Sequence, residues 1–312
     1  MASVNQTRVL RFIVSVAALF FLLGSLHSAK AQLNASRARG ALRRMAGFEL
    51  TNGAVRVRTI TEATKTNATI TAELRTVFRF EQDDRGRWRV AEVRVAPDRW
   101  EEVAMISRAL TTQLPEDECT APGFQLGKKA PIEPTPKRAR CLLGTLLGVA
   151  GPSDAIRIQE IALSPVPLAS QESATVVAWI GVEARALSDT KGWRITEIRT
   201  GNREWVNLDQ LVVALNQQKH DRARADMQRI AEALQRYWAD KGSYLVSDSH
   251  AVLIDHLSPS YLSEVMRVDP WNRPYKYTGQ RNTFTLVSPG PDGEVGTSDD
   301  ISVGLETLRG RK

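Results

Sequence analysis

The chain has 312 residues, of which 42% are hydrophobic and 25% charged, and its formal net charge at pH 7 is +7. These values exclude a wholly disordered chain and predict two or three globular domains. Three of the 42 basic residues and none of the 35 acidic ones lie in residues 1–31, so the remainder carries a net charge of +4. A balance this mild, with only short basic clusters, argues against nucleic acid as a partner.

Residues 1–31 have the layout of a secretory signal peptide. Arg8 and Arg11 precede an apolar run from Phe12 to Leu26, and Ala29-Lys30-Ala31 supplies small residues for cleavage. The run is shorter than the roughly 20 apolar residues that span a bilayer. Cleavage near Ala31 is therefore favoured over retention as an inner-membrane anchor. Both outcomes predict a protein that is exported to the periplasm or cell envelope.

The middle of the chain repeats itself. The sequence Trp-Arg-Val-Ala-Glu-Val-Arg at 88–94 is matched by Trp-Arg-Ile-Thr-Glu-Ile-Arg at 193–199, and a second tryptophan follows each, Trp100 and Trp205. The period of about 105 residues exceeds that of solenoid repeats and indicates duplicated domains. The duplicated modules resemble no named family.

Each copy predicts a helix, a strand, a long alternating strand, a turn, an antiparallel strand that begins at tryptophan, and a closing helix. The first helices are expected at Ala41–Met45 and Leu142–Val149. Matched tryptophans are more typical of core anchors than of ligand sites. Glu92 and Glu197, with Arg94 and Arg199, are expected to form cross-strand ion pairs.

Two cysteines, Cys119 and Cys141, flank a proline-rich connector. In an exported protein an even count favours a disulfide bond, and the alternative is two free thiols. The connector is expected to be a linker between the copies. The predicted domains are residues 1–31 for the leader, 32–114 for repeat 1, 115–137 for the linker, 138–206 for repeat 2 and 207–312 for the C-terminal domain.

After Trp205 the pattern becomes helical. Asn207 is a plausible N-cap, an apolar face runs from Leu208 to Trp238, and Gly242 is a suitable stop. Polar residues from Gln217 to Arg224 interrupt that face, so one long helix and two helices joined by a bend are both open. A short helix at Ala251–Leu257 and an antiparallel pair at 275–277 and 283–288 follow.

The segment Ser288–Ile301 carries four carboxylates, no basic residue and several glycines. Calcium takes six to eight oxygen ligands, and glycines let a backbone fold around an ion. Asp292, Asp299 and Asp300 could supply charged ligands, although the pattern is not that of an EF-hand. A tight turn at Asp292-Gly293 with a solvated Asp299-Asp300 pair explains the same residues without a metal.

Three motifs in order carry a family resemblance over about the last quarter of the chain. They are the helix at 225–238 leading to Lys-Gly-Ser-Tyr, then Asp-Pro-Trp-Asn-Arg-Pro-Tyr at 269–275, then Gly-Pro-Asp-Gly-Glu-Val-Gly-Thr-Ser-Asp-Asp-Ile at 290–301. Together they resemble the globular head of the major pseudopilin of type II secretion systems, general secretion pathway protein G. The resemblance implies a structural Ca²⁺ held by Asp292, Asp299 and Asp300. It also implies backbone oxygen ligands near Leu286, Ser288 and Val295.

The chain departs from the pseudopilin pattern before the head, because the long apolar helix of a pseudopilin is missing there. Gly47-Phe48 mimics the processing junction, but Thr51-Asn52-Gly53 follows it instead of an apolar run. A true pilus subunit would be processed at Gly47-Phe48, which the sequence argues against.

The sequence contains no nucleophile elbow, P-loop, dinucleotide fingerprint or zinc-protease motif. We therefore expect a non-enzymatic exported protein of α+β class, with two duplicated helix–antiparallel-sheet modules, a long helix and a pseudopilin-like α+β head. Its expected partners are envelope or secretion-system proteins, with inner-membrane association if the leader is retained. The alternative is a secreted ligand-binding protein or hydrolase whose site lies in the tryptophan-containing modules.

Overall fold

The computed structural model describes residues 32–62, 64–83, 87–112, 119, 134–150, 154–164 and 173–305. They form helices and antiparallel sheets, so the predicted α+β class is confirmed. The predicted leader and most of the predicted linker, all of it except Cys119 and 134–137, lie outside these residues.

Both repeats follow the predicted order of elements. Repeat 1 consists of α1 (Ala35–Arg43), β1 (Val55–Glu62), β2 (Asn67–Gln82), β3 (Trp88–Ala96), β4 (Arg99–Glu102) and α2 (Val103–Ala109). Repeat 2 consists of α3 (Pro136–Leu147), β5 (Ile156–Ser164), β6 (Ser173–Asp189), β7 (Gly192–Arg199) and β8 (Val206–Asn207).

The first helices of the repeats begin earlier than the apolar pattern predicts, because polar caps start them. The Asn34 side chain accepts a hydrogen bond from Arg37 N at 2.9 Å before α1. The Thr135 hydroxyl accepts one from Arg138 N at 3.3 Å before α3, with Pro136 in the first turn. Such caps satisfy N–H groups that have no partner within the helix.

The two repeats join in one eight-stranded sheet of order β4-β3-β2-β6-β7-β8, with β1 paired to β2 and β5 paired to β6. The long strands β2 and β6 pair antiparallel from Asn67–Leu187 to Glu81–Ser173. Leu74 stands opposite Ile180, and the sequence repeat makes these two residues equivalent. The duplication therefore produces a sheet with approximate twofold symmetry about this pair.

The two faces of the sheet differ in chemistry. Even-numbered residues of β2 and β6, such as Ile70, Phe80 and Val176, are buried in an apolar core that α1 and α3 complete. Odd-numbered residues point to the opposite face, where arginine, glutamate and threonine predominate. We call this second surface the open face.

A single helix, α4 (Leu208–Lys241, 34 residues), connects the sheet to the C-terminal domain. The Asn207 side chain caps it by accepting from Gln210 N at 3.0 Å, and Gly242 ends it in the left-handed conformation with φ 73°. Both boundaries agree with the sequence prediction, and of the two alternatives the continuous helix is the correct one.

Helix α4 takes part in both halves of the molecule. Leu208 is buried in the core of the sheet, whereas Met227 and Leu234 are buried in the C-terminal core. Between them, the buried Lys219 ammonium lies 2.7 Å from the Glu101 carboxylate at the end of β4. The Trp271 indole N–H donates to Asn216 of α4 at 3.0 Å.

The C-terminal domain adds α5 (His250–Leu257), β9 (Lys276–Gln280), β10 (Thr283–Ser288) and β11 (Ile301–Gly304). The strands form a three-stranded sheet of order β11-β10-β9. The third strand, β11, extends the predicted antiparallel pair and follows directly after the acidic segment. The acidic segment is therefore the connection between two paired strands, β10 and β11.

Cys119 and Cys141 form a disulfide bond, so the alternative of two free thiols is wrong. Within the part of the chain that the structure describes, no helix has the length and apolar character needed to cross a membrane.

Candidate metal site in the acidic loop

The base of the acidic segment is organised by a buried carboxylate to which the sequence analysis gave no role. Asp269 is 2% exposed, and its Oδ1 accepts hydrogen bonds from the backbone N–H groups of Trp271 and Arg273, both at 2.9 Å. Its Oδ2 accepts from the fully buried Ser288 hydroxyl at 2.5 Å. Asp269 thus ties the Asp-Pro-Trp-Asn-Arg motif to the end of β10, where the acidic segment begins.

Glycines shape the segment by close backbone approach. Gly290 has φ 61°, and a Cβ there would lie 2.5 Å from the Asp299 carbonyl oxygen. Gly293 has φ 77°, and a Cβ there would lie 2.6 Å from Cζ of Arg273. At Gly290 the close atom is backbone, so the two ends of the segment meet there only because this residue is glycine. At Gly293 the close atom belongs to the flexible end of the Arg273 side chain, and the positive φ is what favours glycine.

The structure brings Asp292 and Asp299 together across this turn. Asp292 N donates to Oδ2 of Asp299 at 3.2 Å, and Oδ1 of Asp299 accepts from the Thr297 hydroxyl at 2.6 Å. Hydrogen bonds from the Thr297 hydroxyl and, to a smaller extent, from the Asp292 N–H lower the pKa of Asp299. A hydrogen bond with the Asp292 carboxyl group lowers it further. Two adjacent carboxyl groups repel each other when both are ionised, and a cation between them removes that repulsion.

Asp300 contributes a polar atom that lacks a partner. Its Oδ2 accepts from Gly296 N at 2.6 Å, while its Oδ1 is buried and has no hydrogen-bond partner among the described residues. A buried carboxylate oxygen without a donor costs free energy that a bound cation would recover. This oxygen is the observation in the segment that most directly fits a metal ligand.

The three predicted backbone ligands are placed around the same segment. Leu286 and Ser288 lie on β10, opposite Val303 and Ile301 of β11. Val295 lies in the segment itself, and its side chain is 51% exposed, so it does not belong to the core.

The side chains of the acidic segment are not, by themselves, arranged to bind a metal ion. Among the residues that the structure describes, no three His, Cys, Asp or Glu side chains form a group that could hold a metal ion. Side chains alone therefore do not make a site here. Calcium, which accepts backbone carbonyl oxygens and water beside carboxylates, is compatible with such a set, whereas a site built only from side chains is not.

A second buried titratable group lies elsewhere in the C-terminal domain. His250, at the start of α5, is 7% exposed, its ring lies 5.3 Å from that of Tyr275, and its Nε2 has no described partner. Burial, and to a smaller extent the charge of Arg267, lower the pKa of His250 to about 4. The histidine is therefore neutral at pH 7 and is buried within the C-terminal domain.

The repeated tryptophans have two different environments. Trp88 is 1% exposed, and Trp193 packs against the same core while remaining partly exposed. The guanidinium carbon of Arg79 lies 4.6 Å from the centroid of the Trp100 ring, and that of Arg185 lies 4.1 Å from the centroid of the Trp205 ring. Trp88 is thus a core residue, as predicted, and does not line a ligand site.

Three of the four residues expected to form cross-strand ion pairs do so. Glu92 pairs with Arg79 and Glu197 with Arg185, in both cases across to the long strand of the same repeat. Arg199 pairs with Glu183. Arg94 forms no such pair among the described residues, and its guanidinium lies 6.0 Å from the centroid of the Trp100 ring. The prediction of cross-strand ion pairs is therefore confirmed for Glu92, Glu197 and Arg199 and wrong for Arg94.

Comparison with known proteins bears on the C-terminal part. Residues 210–304 match the family model described as "Type II secretion system (T2SS), protein G". The chain is 34% identical over 101 residues to "Type II secretion system core protein G" of Escherichia coli (strain K12), covering 28% of this chain and 70% of that protein. No solved structure matches the chain. The matched region contains α4 from Gln210 onward, Asp269 and the whole acidic segment.

Proposed function

The chain belongs to the type II secretion system protein G family through its C-terminal region, and we propose that it is a non-enzymatic, exported cell-envelope protein. It acts through contacts with other secretion-system or envelope proteins. Its pseudopilin-like domain is stabilised by one structural Ca²⁺. The leader directs it across the inner membrane, to the periplasm or to the membrane surface.

The calcium proposal rests on the acidic segment. Asp292, Asp299 and Asp300, which do not form a metal-holding group in the structure, would supply side-chain oxygens once an ion draws their carboxylates together. Leu286, Ser288 and Val295 would supply backbone carbonyls. The buried Oδ1 of Asp300 without a partner is the observation that carries the proposal. The ion would offset the repulsion between the Asp292 and Asp299 carboxylates and so hold the connection between β10 and β11 in one conformation.

Calcium binding is tested by thermal unfolding and calorimetry of the full chain. A ligand that binds only the native state stabilises it by RT ln(1 + [L]/Kd), which is about 2.7 kcal/mol at 100 times the Kd. Wild type is expected to melt at higher temperature in calcium than in chelator, and Asp300→Asn to lose this difference. Glu294→Gln, in the same segment but outside the proposed ligand set, is the matched control and should retain it. An equal melting temperature with and without calcium would reject the ion.

The role in secretion is tested in cells that carry this chain. Deletion of its gene is expected to reduce secretion of a type II substrate, and the wild-type gene to restore it. Asp300→Asn should restore secretion less well than Glu294→Gln at equal protein levels. Unchanged secretion in the deletion strain would separate this chain from the secretion apparatus even if calcium binds.

The fate of Gly47-Phe48 separates this proposal from that of a polymerising pilus subunit. Phe48 packs against the sheet core, and its N–H donates to the Met45 carbonyl at 2.9 Å. We expect a mature N-terminus near residue 32, which N-terminal sequencing of protein from the envelope would show. A terminus at Phe48 would support the pilus subunit instead.

A further inference from the structure

Four arginines lie on the open face near the Leu74–Ile180 pair, where the two repeats meet. Three strands supply them, so residues distant in sequence converge at the centre of the sheet. They are Arg56 and Arg58 on β1, Arg75 on β2 and Arg157 on β5. We call them the central arginine cluster.

The strand register places this cluster around one tryptophan. Arg75 and Arg157 stand opposite Trp179 of β6 from its two neighbouring strands. Neighbouring strands are about 4.8 Å apart, so the three positions lie within roughly 10 Å of one another. The Arg56 guanidinium lies 4.0 Å from the centroid of the Trp179 ring, which is itself only 8% exposed.

The cluster has an excess of positive charge. Glu73 is the carboxylate that pairs with it, accepting from Arg58 at 2.8 Å and from Arg157 at 2.7 Å. Arg56 and Arg75 are both exposed, and neither forms an ion pair with a carboxylate of the described residues. Four guanidinium groups therefore share one carboxylate, whereas elsewhere on this face Arg79 with Glu92 and Arg185 with Glu197 are paired one to one.

Two features restrict the arginines to defined positions before any ligand binds. The indole ring of Trp179 holds the Arg56 guanidinium by a cation–π contact. The Arg157 guanidinium donates a hydrogen bond to the Glu73 carboxylate. The Nε of Arg157 is buried and lacks a hydrogen-bond partner in the described structure. Donors that are fixed in advance lose less conformational entropy when they bind a ligand.

We propose that the central arginine cluster is a binding site for a phosphate-type oxyanion. Planar guanidinium groups donate two parallel hydrogen bonds to phosphate oxygens, and several of them together neutralise a multiply charged group. Arg75 and Arg56 supply the unpaired charge, and Arg157 supplies a donor already oriented by Glu73. The ligand is a phosphate group carried by a soluble molecule or by a lipid headgroup, since both present the same oxygens to the open face.

Calorimetric titration of the full chain with inorganic pyrophosphate at low ionic strength tests the site. Loss of one hydrogen bond to a charged group corresponds to about 1.5–3 kcal/mol, and 1.4 kcal/mol is tenfold in affinity. Arg75→Gln is therefore expected to weaken binding about tenfold or more. Arg281→Gln, an exposed arginine in the turn between β9 and β10, is the control for overall charge and should leave binding unchanged.

Several results would overturn the site. One is the absence of pyrophosphate binding by a wild-type protein of normal melting temperature. Another is an equal loss of affinity in Arg75→Gln and Arg281→Gln, which would indicate unspecific attraction to a basic protein. Arg75→Lys keeps the charge but loses the paired donors, so affinity equal to wild type would also contradict the proposed geometry.

Vesicles identify the source of the phosphate. Wild-type protein and Arg75→Gln are mixed with phosphatidylcholine vesicles that contain or lack phosphatidic acid, and bound protein is separated by sedimentation. Binding that needs phosphatidic acid and Arg75 identifies a lipid headgroup. Pyrophosphate binding without vesicle binding identifies a soluble ligand, and vesicle binding that is equal in wild type and Arg75→Gln excludes a lipid headgroup at this site.

Discussion

The duplicated sheet and the C-terminal domain reach stability by different means. In the sheet, two copies of the same apolar pattern share one core, and their charged groups lie on the open face. In the C-terminal domain, a three-stranded sheet is completed by a buried Asp269–Ser288 contact and by an acidic connection rich in glycine. The sheet therefore depends mainly on apolar burial, and the C-terminal domain also depends on polar groups that must be satisfied.

The likeness to secretion proteins covers the C-terminal domain and most of the helix that leads into it. The matched residues, 210–304, begin within α4 and include its buried contacts in the C-terminal core. The sheet packs on the first half of the same helix through Leu208 and the Lys219–Glu101 pair. The pseudopilin-like head and the duplicated sheet therefore share one helix.

The largest effect is expected from Asp269→Ala, which removes the acceptor of three hydrogen bonds in the C-terminal domain. The donors left behind are buried or partly buried, so we expect a loss of about 4 kcal/mol in the free energy of unfolding. Denaturant unfolding of the full chain measures it. Asp248→Ala, at an exposed position of the same domain, should stay within about 0.5 kcal/mol of wild type. Similar values for the two variants would contradict the polar account of this domain.

The next largest loss of stability is expected at the ion pair that joins the duplicated sheet to helix α4. Glu101→Gln leaves the buried Lys219 ammonium without its counter-charge, and breaking such a pair typically costs about 3 kcal/mol. The double variant Glu101→Leu with Lys219→Met removes both charges and is expected to recover most of that loss. Equilibrium unfolding of the three proteins makes the comparison, and a double variant no better than the single one would refute an electrostatic cause.

A pH effect is expected from the C-terminal domain. The unfolded chain protonates His250 near its ordinary pKa of 6.5, whereas the folded chain does so only near pH 4. Protons therefore favour the unfolded state, and stability should fall as pH decreases from about 6.5 to 4. The loss between these two pH values is about 2.5 kcal/mol, given 1.36 kcal/mol for each unit of difference in pKa. His250→Phe should reduce this pH dependence, and an unchanged profile would show that His250 is not the group responsible.

The smallest expected effect tests the symmetry of the sheet. Arg79→Gln and Arg185→Gln each remove a half-exposed ion pair and a cation–π contact to a tryptophan. Each is expected to lower stability by about 1 kcal/mol, since exposed contacts of this kind contribute little. Thermal unfolding should give nearly equal values for the two repeats. A large effect from one of them alone would show that the copies no longer share this arrangement.

Sequence patterns predicted those helix ends and strands that depend only on neighbouring residues. The cap at Asn207, the end of α4 at Gly242 and the strand at Thr283–Ser288 follow from capping, left-handed glycine and alternation. Strand β11 is only four residues long, and its pairing with β10 is not visible in its own sequence. The role of Asp269 depends on Ser288, 19 positions away, which no local pattern connects to it.

The sequence also did not predict that the two repeats pair into one sheet. Alternation shows that β2 and β6 each have a buried side, but it does not say which edges pair. The pairing of Leu74 with Ile180 brings Arg56, Arg75 and Arg157 together around Trp179, so the central arginine cluster is a property of the assembled sheet. By contrast, the three aspartates of the acidic segment were recognised from composition and family resemblance, and their use as ligands stays a prediction.

Hydrogen–deuterium exchange of the full chain, with calcium and with chelator, tests the central claim most directly. The account predicts that calcium slows exchange of amides in Ser288–Ile301 and in β10 and β11, and leaves the amides of β2 and β6 unchanged. Asp300→Asn should abolish the difference. Identical exchange of the acidic segment in the two conditions, or an equal change throughout both regions, would contradict a calcium ion that organises the pseudopilin-like domain.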